Sequence, residues 1–148
     1  MAKKSELPDL FGRATIVLGG HEGLRETVQV LRSISKAVRE KRPVSLEDVT
    51  ARIAAFAERV HFHFAAEESP EYFGTLSTQS PSLEEAILRL RSEHRRMSEL
   101  LSSLREFDDL SARAAEFGDE LDRFLDLLAE HERREHELLS AFFASDGA

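Results

Sequence analysis

The sequence predicts an all-α protein, an up-down-up-down antiparallel four-helix bundle. Four long segments carry apolar residues every three or four positions, which is the spacing of an amphipathic helix. Short or moderate stretches rich in turn-forming residues separate these segments, so consecutive helices are expected to lie antiparallel. A length of 148 residues, 41% of them apolar and 32% charged, suits a single globular domain with a sizeable core.

The first helix is predicted from about Ala14 to Arg39. Gly19 and Gly20 weaken its first turns by roughly 1 kcal/mol each. The helix can therefore start as late as Gly20, with residues 10–19 as a separate short segment, and Lys41-Arg42-Pro43 ends it. We expect residues 1–11 to form an N-terminal arm and residues 12–145 to form the domain.

The second helix opens at Ser45, which with Asp48 makes a near capping box, and Pro70 ends or kinks it. Residues 70–81 are rich in Ser, Thr, Gly and Pro, and we expect them to be the longest connection.

The third helix is predicted to open at a capping box, Ser82 to Glu85, and to end before the short turn at residues 108–111. The fourth runs from about Ala112 to Phe143.

Composition excludes several classes of function. The net charge of −8 and the pI near 5.3 argue against nucleic acid as a partner, because phosphate contacts need clustered Lys and Arg. The chain has no cysteine, so disulfides, iron–sulfur clusters and thiolate metal sites are excluded. No apolar run approaches the roughly 20 residues of a membrane span. We expect a cytoplasmic protein without a membrane partner; the sequence does not indicate a protein partner.

Polar residues interrupt the apolar seam of every predicted helix. Each seam contains one histidine, and two seams also contain a glutamate four residues later, on the same helical face. These six candidate metal ligands are His21, His63, Glu67, His94, His131 and Glu135. Buried polar groups of this kind need hydrogen bonds, and buried charges need partners or a metal ion.

The six residues are expected to share one layer of the bundle. In an antiparallel hairpin, facing residues are about equally far from the turn. The midpoint between His21 and His63 falls in the first predicted turn, and that between His63 and His94 falls within residues 70–81. The midpoint between His94 and His131 falls just past residues 108–111, within ordinary boundary error. One such layer favours a metal centre in the core.

The donor types narrow the choice of metal. Imidazole suits iron, zinc, copper and nickel, whereas carboxylates suit harder ions such as manganese and iron. Six nitrogen and oxygen donors exceed the four of a tetrahedral zinc site. Because the two glutamates can bridge, the set favours two metal ions, and iron is the first choice.

The chain resembles the hemerythrin-like, or HHE cation-binding, domain family over residues 12–143. The matching pieces, in chain order on four helices, are His21-Glu22-Gly23-Leu24, His63 to Glu68, Glu93-His94 and His131 to Glu135. The resemblance implies a non-haem di-iron centre with a water-derived oxo or hydroxo bridge. It implies that His21 and His63 bind one iron, that His94 and His131 bind the other, and that Glu67 and Glu135 bridge them.

The chain departs from the oxygen-carrying members at two places. They have a histidine four residues before the position of His94, where this chain has Leu90, and they end in His-x-x-x-x-Asp, where this chain has Glu135 followed by His136. One iron therefore has one nitrogen donor fewer, as in hemerythrin-like proteins linked to iron sensing, iron handling or iron–sulfur repair.

Several other residues remain open as participants. Glu132 and His136 can replace His131 and Glu135 if the fourth helix is rotated. His61 is expected to point away from the centre, whereas Tyr72 can approach it or simply pack. The neighbouring glutamates can orient the imidazoles or lie in solvent (Glu22, Glu68 and Glu93). Three phenylalanines are expected to pack around the bundle end and limit solvent entry (Phe62, Phe64 and Phe73).

Three functions are compatible with these residues. The first is a di-iron protein that senses or binds a small oxidant (O2, NO or peroxide) or handles iron. The second is a redox enzyme that turns over peroxide or NO, or repairs iron–sulfur clusters. The third is a metal-free structural bundle.

Overall fold

The computed structural model describes residues 6–146 and confirms an all-helical bundle built on four long helices. These are α1 (Glu6–Arg39), α2 (Leu46–Glu67), α4 (Glu84–Arg105) and α5 (Ala114–Asp146). A π-helical turn (Pro70–Gly74), the short helix α3 (Thr75–Gln79) and a 3-10 turn (Pro81–Leu83) connect α2 to α4. No helix within residues 6–146 is long and apolar enough to cross a bilayer.

Helix α1 begins at Glu6, earlier than the predicted start at Ala14 or Gly20. Gly19 and Gly20 do not interrupt it, and residues 10–19 are not a separate segment. The glycine at position 20 instead allows close approach of α1 and α2, since a Cβ there would lie 2.7 Å from Nδ1 of His63. Residues 6–11 of the expected arm belong to this helix, and residues 1–5 lie outside the described residues.

The segment between α2 and α4 is more ordered than its composition indicated. Its turns bury Tyr72, Phe73 and Leu76 completely. The capping box at Ser82 does not form, because a 3-10 turn occupies residues 81–83 and the N-cap of α4 is Leu83, which makes no side-chain hydrogen bond. The cap of α2 does form, with the backbone N–H of Asp48 donating to Oγ of Ser45 over 3.2 Å.

Two apolar clusters fill the bundle, one on each side of the histidine layer. The larger cluster contains residues one turn from each histidine, including Leu24, Val60, Met97 and Leu128. The smaller cluster lies on the other side of the layer and consists of Ala14, Val17, Tyr72, Phe73, Leu76, Ile87, Leu90, Leu138, Leu139 and Phe142. The polar layer is therefore enclosed by apolar side chains above and below, which strengthens electrostatic interactions within it.

Candidate metal centre

The structure brings all six candidate ligands together in the core. Each long helix contributes its seam histidine, and α2 and α5 add a glutamate one turn later. The exposed fractions are 3% for His21, 7% for His63, 2% for His94, and 0% for His131, Glu67 and Glu135. Six titratable side chains thus meet in one buried layer, as the midpoint argument predicted.

One group of four donors lies between α1, α2 and α5. Its ligand atoms, from His21, His63, Glu67 and Glu135, all lie within 4.8 Å of one another. Nε2 of His63 is 2.8 Å from Oε1 of Glu67, and Nε2 of His21 is 3.0 Å from Oε1 of Glu135. Four donors at such separations can surround a single metal ion.

A second group of three donors lies between α2, α4 and α5. Nε2 of His94 is 2.6 Å from Oε2 of Glu67 and 3.1 Å from Nε2 of His131. Nε2 of His131 is 3.3 Å from the same Glu67 oxygen and 4.0 Å from Oε2 of Glu135. Glu67 therefore directs one oxygen to each group, as a carboxylate that bridges two ions would, and the second oxygen of Glu135 lies on the side of the second group. This division of the histidines is the one that the resemblance implies.

Several atoms of the layer have no hydrogen-bonding partner in the described part of the chain, although Nε2 of His94 and Nε2 of His131 both contact Oε2 of Glu67. No hydrogen bond of acceptable geometry within the described residues reaches Nε2 of His21 or His63, Oε1 of Glu67 or either oxygen of Glu135. Their separations are nevertheless short, since the donor atoms of the first group all lie within 4.8 Å of one another. Buried polar atoms are almost always paired, so close approach without pairing fits donors arranged around metal ions.

The charges of the layer shift the pKa values of its members strongly. Burial disfavours the imidazolium of His21, but the contacts and charges of Glu135 and Glu67 outweigh burial and raise its pKa to about 10. Burial and the charge of Glu67 raise the pKa of Glu135 to about 8. For Glu67, burial is outweighed by its four histidine neighbours, which hold its pKa well below the usual range. Without a metal the layer keeps protons that a metal ion would displace.

Two outer carboxylates contact the outer ring nitrogens of the second group. Nδ1 of His131 donates to Oε1 of Glu93 over 3.0 Å, and Arg134 donates to the other oxygen of Glu93. Nδ1 of His94 lies 3.2 Å from Oε2 of Glu68, whose second oxygen accepts from Arg91. The hydrogen bond to Glu93 fixes the ring orientation of His131 and directs its Nε2 lone pair inward. Nδ1 of His94 forms no hydrogen bond of acceptable geometry within the described residues. The sequence left the role of Glu68 and Glu93 undecided, although each directly neighbours a candidate ligand.

The other residues that the sequence left open as participants differ in burial. His61 is exposed on α2, as predicted. His136 is also exposed, with its ring centroid 5.9 Å from that of His21, and Glu132 is only partly buried. The structure therefore favours the register that places His131 and Glu135 in the layer. Tyr72 is completely buried, and its hydroxyl has no hydrogen-bond partner among the described residues.

Of the three phenylalanines expected to pack around the bundle end, two are buried against His94 and one is exposed. Phe64 stacks on His94 with ring centroids 4.0 Å apart, and Phe73 stacks on the same imidazole at 5.9 Å. The prediction is wrong for Phe62, which is 79% exposed. Position 62 precedes His63, which faces inward, so its side chain points away from the core.

A family model for the hemerythrin HHE cation-binding domain matches residues 14–142. No curated protein and no solved structure matches the chain significantly. The family match covers most of the 148 residues and includes all six residues of the layer. Together with the helical bundle and its buried cluster of histidines and glutamates, it shows that the chain belongs to the hemerythrin HHE cation-binding domain family.

Proposed function

We propose that this protein holds two iron ions in its core and uses them to bind or sense a small oxidant such as O2, NO or peroxide, or to handle iron. The observation that carries the proposal is the division of the donors into two groups that share Glu67, while the second oxygen of Glu135 lies 4.0 Å from Nε2 of His131 in the second group. A single tetrahedral ion needs only four donors and would leave histidines of the layer unused.

The proposal gives each residue of the layer one task. His21 and His63 would hold one ion, His94 and His131 would hold the other, and Glu67 and Glu135 would supply carboxylate oxygens to both. When bound, the iron pair supplies a redox-active centre for small oxidants. The apolar clusters exclude bulk water, and the carboxylate of Glu93 keeps the imidazole of His131 in the binding tautomer.

The missing nitrogen donor beside the second group supports a binding or sensing role. The second group has two histidines, and Leu90 lies in the smaller apolar cluster one turn before His94, where the resemblance leads one to expect a further nitrogen. A position that the chain leaves without a donor is available to a small exogenous molecule. No nucleic-acid or membrane partner is proposed, and we place the protein in the cytoplasm.

Reversibility tests this function against the enzymatic alternative. Iron-loaded, reduced protein is exposed to O2 or NO, the gas is then removed, and absorption spectra are recorded throughout. Spectral changes that reverse support binding or sensing. Steady consumption of peroxide or NO well above that of free iron would instead assign an enzyme.

A double variant tests the ligand assignment on α5. His131→Ala with Glu135→Ala removes a nitrogen and a bridging carboxylate, so we expect it to lose bound iron. The matched control is His61→Ala with Glu58→Ala, which removes the same residue types from exposed positions on α2. Equal iron content in the two double variants would contradict the assignment.

A further inference from the structure

Tyr72 is the least explained buried group near the layer. It is the only tyrosine of the chain, it is 0% exposed, and its ring stacks on Phe73 with centroids 5.4 Å apart. Its hydroxyl has no hydrogen-bond partner within residues 6–146. Buried hydroxyls nearly always have a partner, so an unpaired one indicates that its partner lies outside the described residues.

The surroundings of Tyr72 place it against the polar layer. It packs in the smaller apolar cluster with Val17, Leu90 and Leu138. These three residues lie one helical turn from His21, His94 and Glu135, respectively. Tyr72 therefore covers the side of the layer on which the chain has a leucine at the position of the expected nitrogen donor.

Ring contacts connect Tyr72 to the second group of donors, because Phe73, on which its ring stacks, also stacks on His94 with ring centroids 5.9 Å apart. Burial raises the pKa of the hydroxyl well above its usual value, and the charges of Glu135 and Glu67 raise it further. The hydroxyl forms no hydrogen bond to either carboxylate. It remains a neutral donor with an unused proton.

We infer that the Tyr72 hydroxyl donates a hydrogen bond to a small anion or oxidant that binds at the metal centre beside Leu90. This inference rests on the proposed di-iron function and identifies the residue that recognises the incoming ligand. The ligand accepts the proton of the hydroxyl in a hydrogen bond, and no bond is broken. Because Leu90 offers neither a donor nor an acceptor, Tyr72 is the polar group that its cluster presents to such a ligand.

Azide binding to the iron-loaded protein tests the inference. Azide is a small anion that accepts hydrogen bonds and gives a charge-transfer absorption when it binds ferric iron. The comparison is wild type against Tyr72→Phe, which removes only the hydroxyl. A hydrogen bond to a charged group is lost, so we expect azide affinity to fall about 10- to 100-fold while iron content is unchanged.

A packing variant distinguishes the effect of losing the Tyr72 hydroxyl from the effect of disturbing the apolar cluster around it. Leu76→Val trims the same apolar cluster without removing a polar group. We expect it to lower stability and to leave azide affinity within about twofold of wild type, a change worth only ~0.4 kcal/mol. An equal loss of azide affinity in Leu76→Val and Tyr72→Phe would overturn the inference.

Intrinsic fluorescence gives a second readout on the wild-type chain. The chain has one tyrosine and no tryptophan, so its emission reports Tyr72 alone. We expect saturating azide to change this emission in the iron-loaded protein and to leave that of the metal-free protein unchanged. Identical emission with and without azide in the loaded protein would count against the inference, whether or not Tyr72→Phe folds.

The remaining outcomes are distinguishable. If both wild type and Tyr72→Phe bind iron and have equal azide affinity, the role of Tyr72 is overturned and the proposed di-iron function is not. A visible phenolate-to-iron absorption in wild type that is absent from Tyr72→Phe also overturns this role, because Tyr72 would then be a ligand of the metal. Wild-type protein that binds no metal overturns the proposed function and this inference together.

Discussion

Nδ1 of His131 donates a hydrogen bond to Oε1 of Glu93 over 3.0 Å. The bond leaves Nε2 of His131 directed at the interior, 3.3 Å from Glu67. Arg134 donates to the second oxygen of Glu93 and so holds this carboxylate in place. The orientation of a buried candidate ligand is therefore determined at the surface of the bundle, by an ion pair between α4 and α5.

Glu93→Gln tests this control of His131. An amide is a weaker acceptor than a carboxylate, so the ring is less well oriented and less basic. We expect metal affinity to fall about 10- to 100-fold. Competition with a metal chelator measures the affinity, and Glu99→Gln, at an exposed position of the same helix, is the control. Equal affinities for both variants would show that Glu93 does not act on the site.

Gly20→Ala tests the close approach of α1 to α2. The added Cβ would lie 2.7 Å from Nδ1 of His63, so the imidazole must move and metal affinity should fall. Gly12→Ala is a matched control in the same helix, because its Cβ meets no atom within 4 Å. Replacing a helix-interior glycine by alanine at an unobstructed site stabilises by roughly 0.5–1 kcal/mol.

Chemical denaturation and metal titration distinguish the two glycine variants. Gly12→Ala should raise the free energy of unfolding and leave metal affinity unchanged. Gly20→Ala should lower metal affinity even where it leaves the metal-free protein folded. Unchanged metal affinity in Gly20→Ala would mean that His63 is not held in its present position for binding.

Phe62 and Phe64 of α2 should contribute very differently to the free energy of unfolding. Phe64 is 3% exposed and stacks on His94, so Phe64→Ala is expected to cost about 3–5 kcal/mol. Phe62 is 79% exposed, and Phe62→Ala should change the free energy of unfolding by less than about 0.5 kcal/mol. Urea denaturation of the metal-free variants measures both. Similar losses at the two positions would contradict the orientation of α2.

The pH dependence of stability follows from the raised pKa values of the layer. Glu135 has its pKa raised from 4.5 to about 8, and His21 from 6.5 to about 10. A group with a raised pKa stabilises the fold below its unfolded pKa, and this stabilisation is lost as the pH rises through the folded pKa. The contributions of Glu135 and His21 to the metal-free protein therefore disappear between about pH 4.5 and pH 10.

Metal binding should become stronger as the pH rises, because the ligands must lose their protons before they bind a metal ion. We expect the melting temperature of the metal-free protein to fall from about pH 6 to about pH 9, and the increase produced by metal to grow over the same range. Thermal unfolding with and without metal at several pH values measures this. A metal-induced increase that is constant or shrinks with pH would be the contrary result.

Helical periodicity was enough to predict the bundle and to bring the six layer residues together. A histidine in an apolar seam faces the core whatever the details of packing, so His21, His63, His94 and His131 could be placed from spacing alone. The turn positions then aligned them, since antiparallel neighbours must be equidistant from their turn. The family match agrees with the fold and with a cation-binding site.

The connection between α2 and α4 could not be predicted in the same way. Its Ser, Thr, Gly and Pro residues are typical of a loop, and a π-helical turn has no clear sequence pattern. The burial of Tyr72 depends on a space formed by α1, α4 and α5 together, which no local pattern encodes. Likewise, Gly20 weakens an isolated helix, but the approach of His63 explains its presence in the folded protein.

The metal content of the purified protein is the most direct test of a di-iron centre in the bundle core. The protein is produced in iron-replete cells, purified without a metal-affinity column, and examined by elemental analysis and absorption spectroscopy in air. We expect about two iron ions per chain, as in other bundle di-iron proteins, with near-ultraviolet oxo-to-iron charge-transfer bands. One metal ion per chain, zinc in place of iron, or no stoichiometric metal would contradict this expectation.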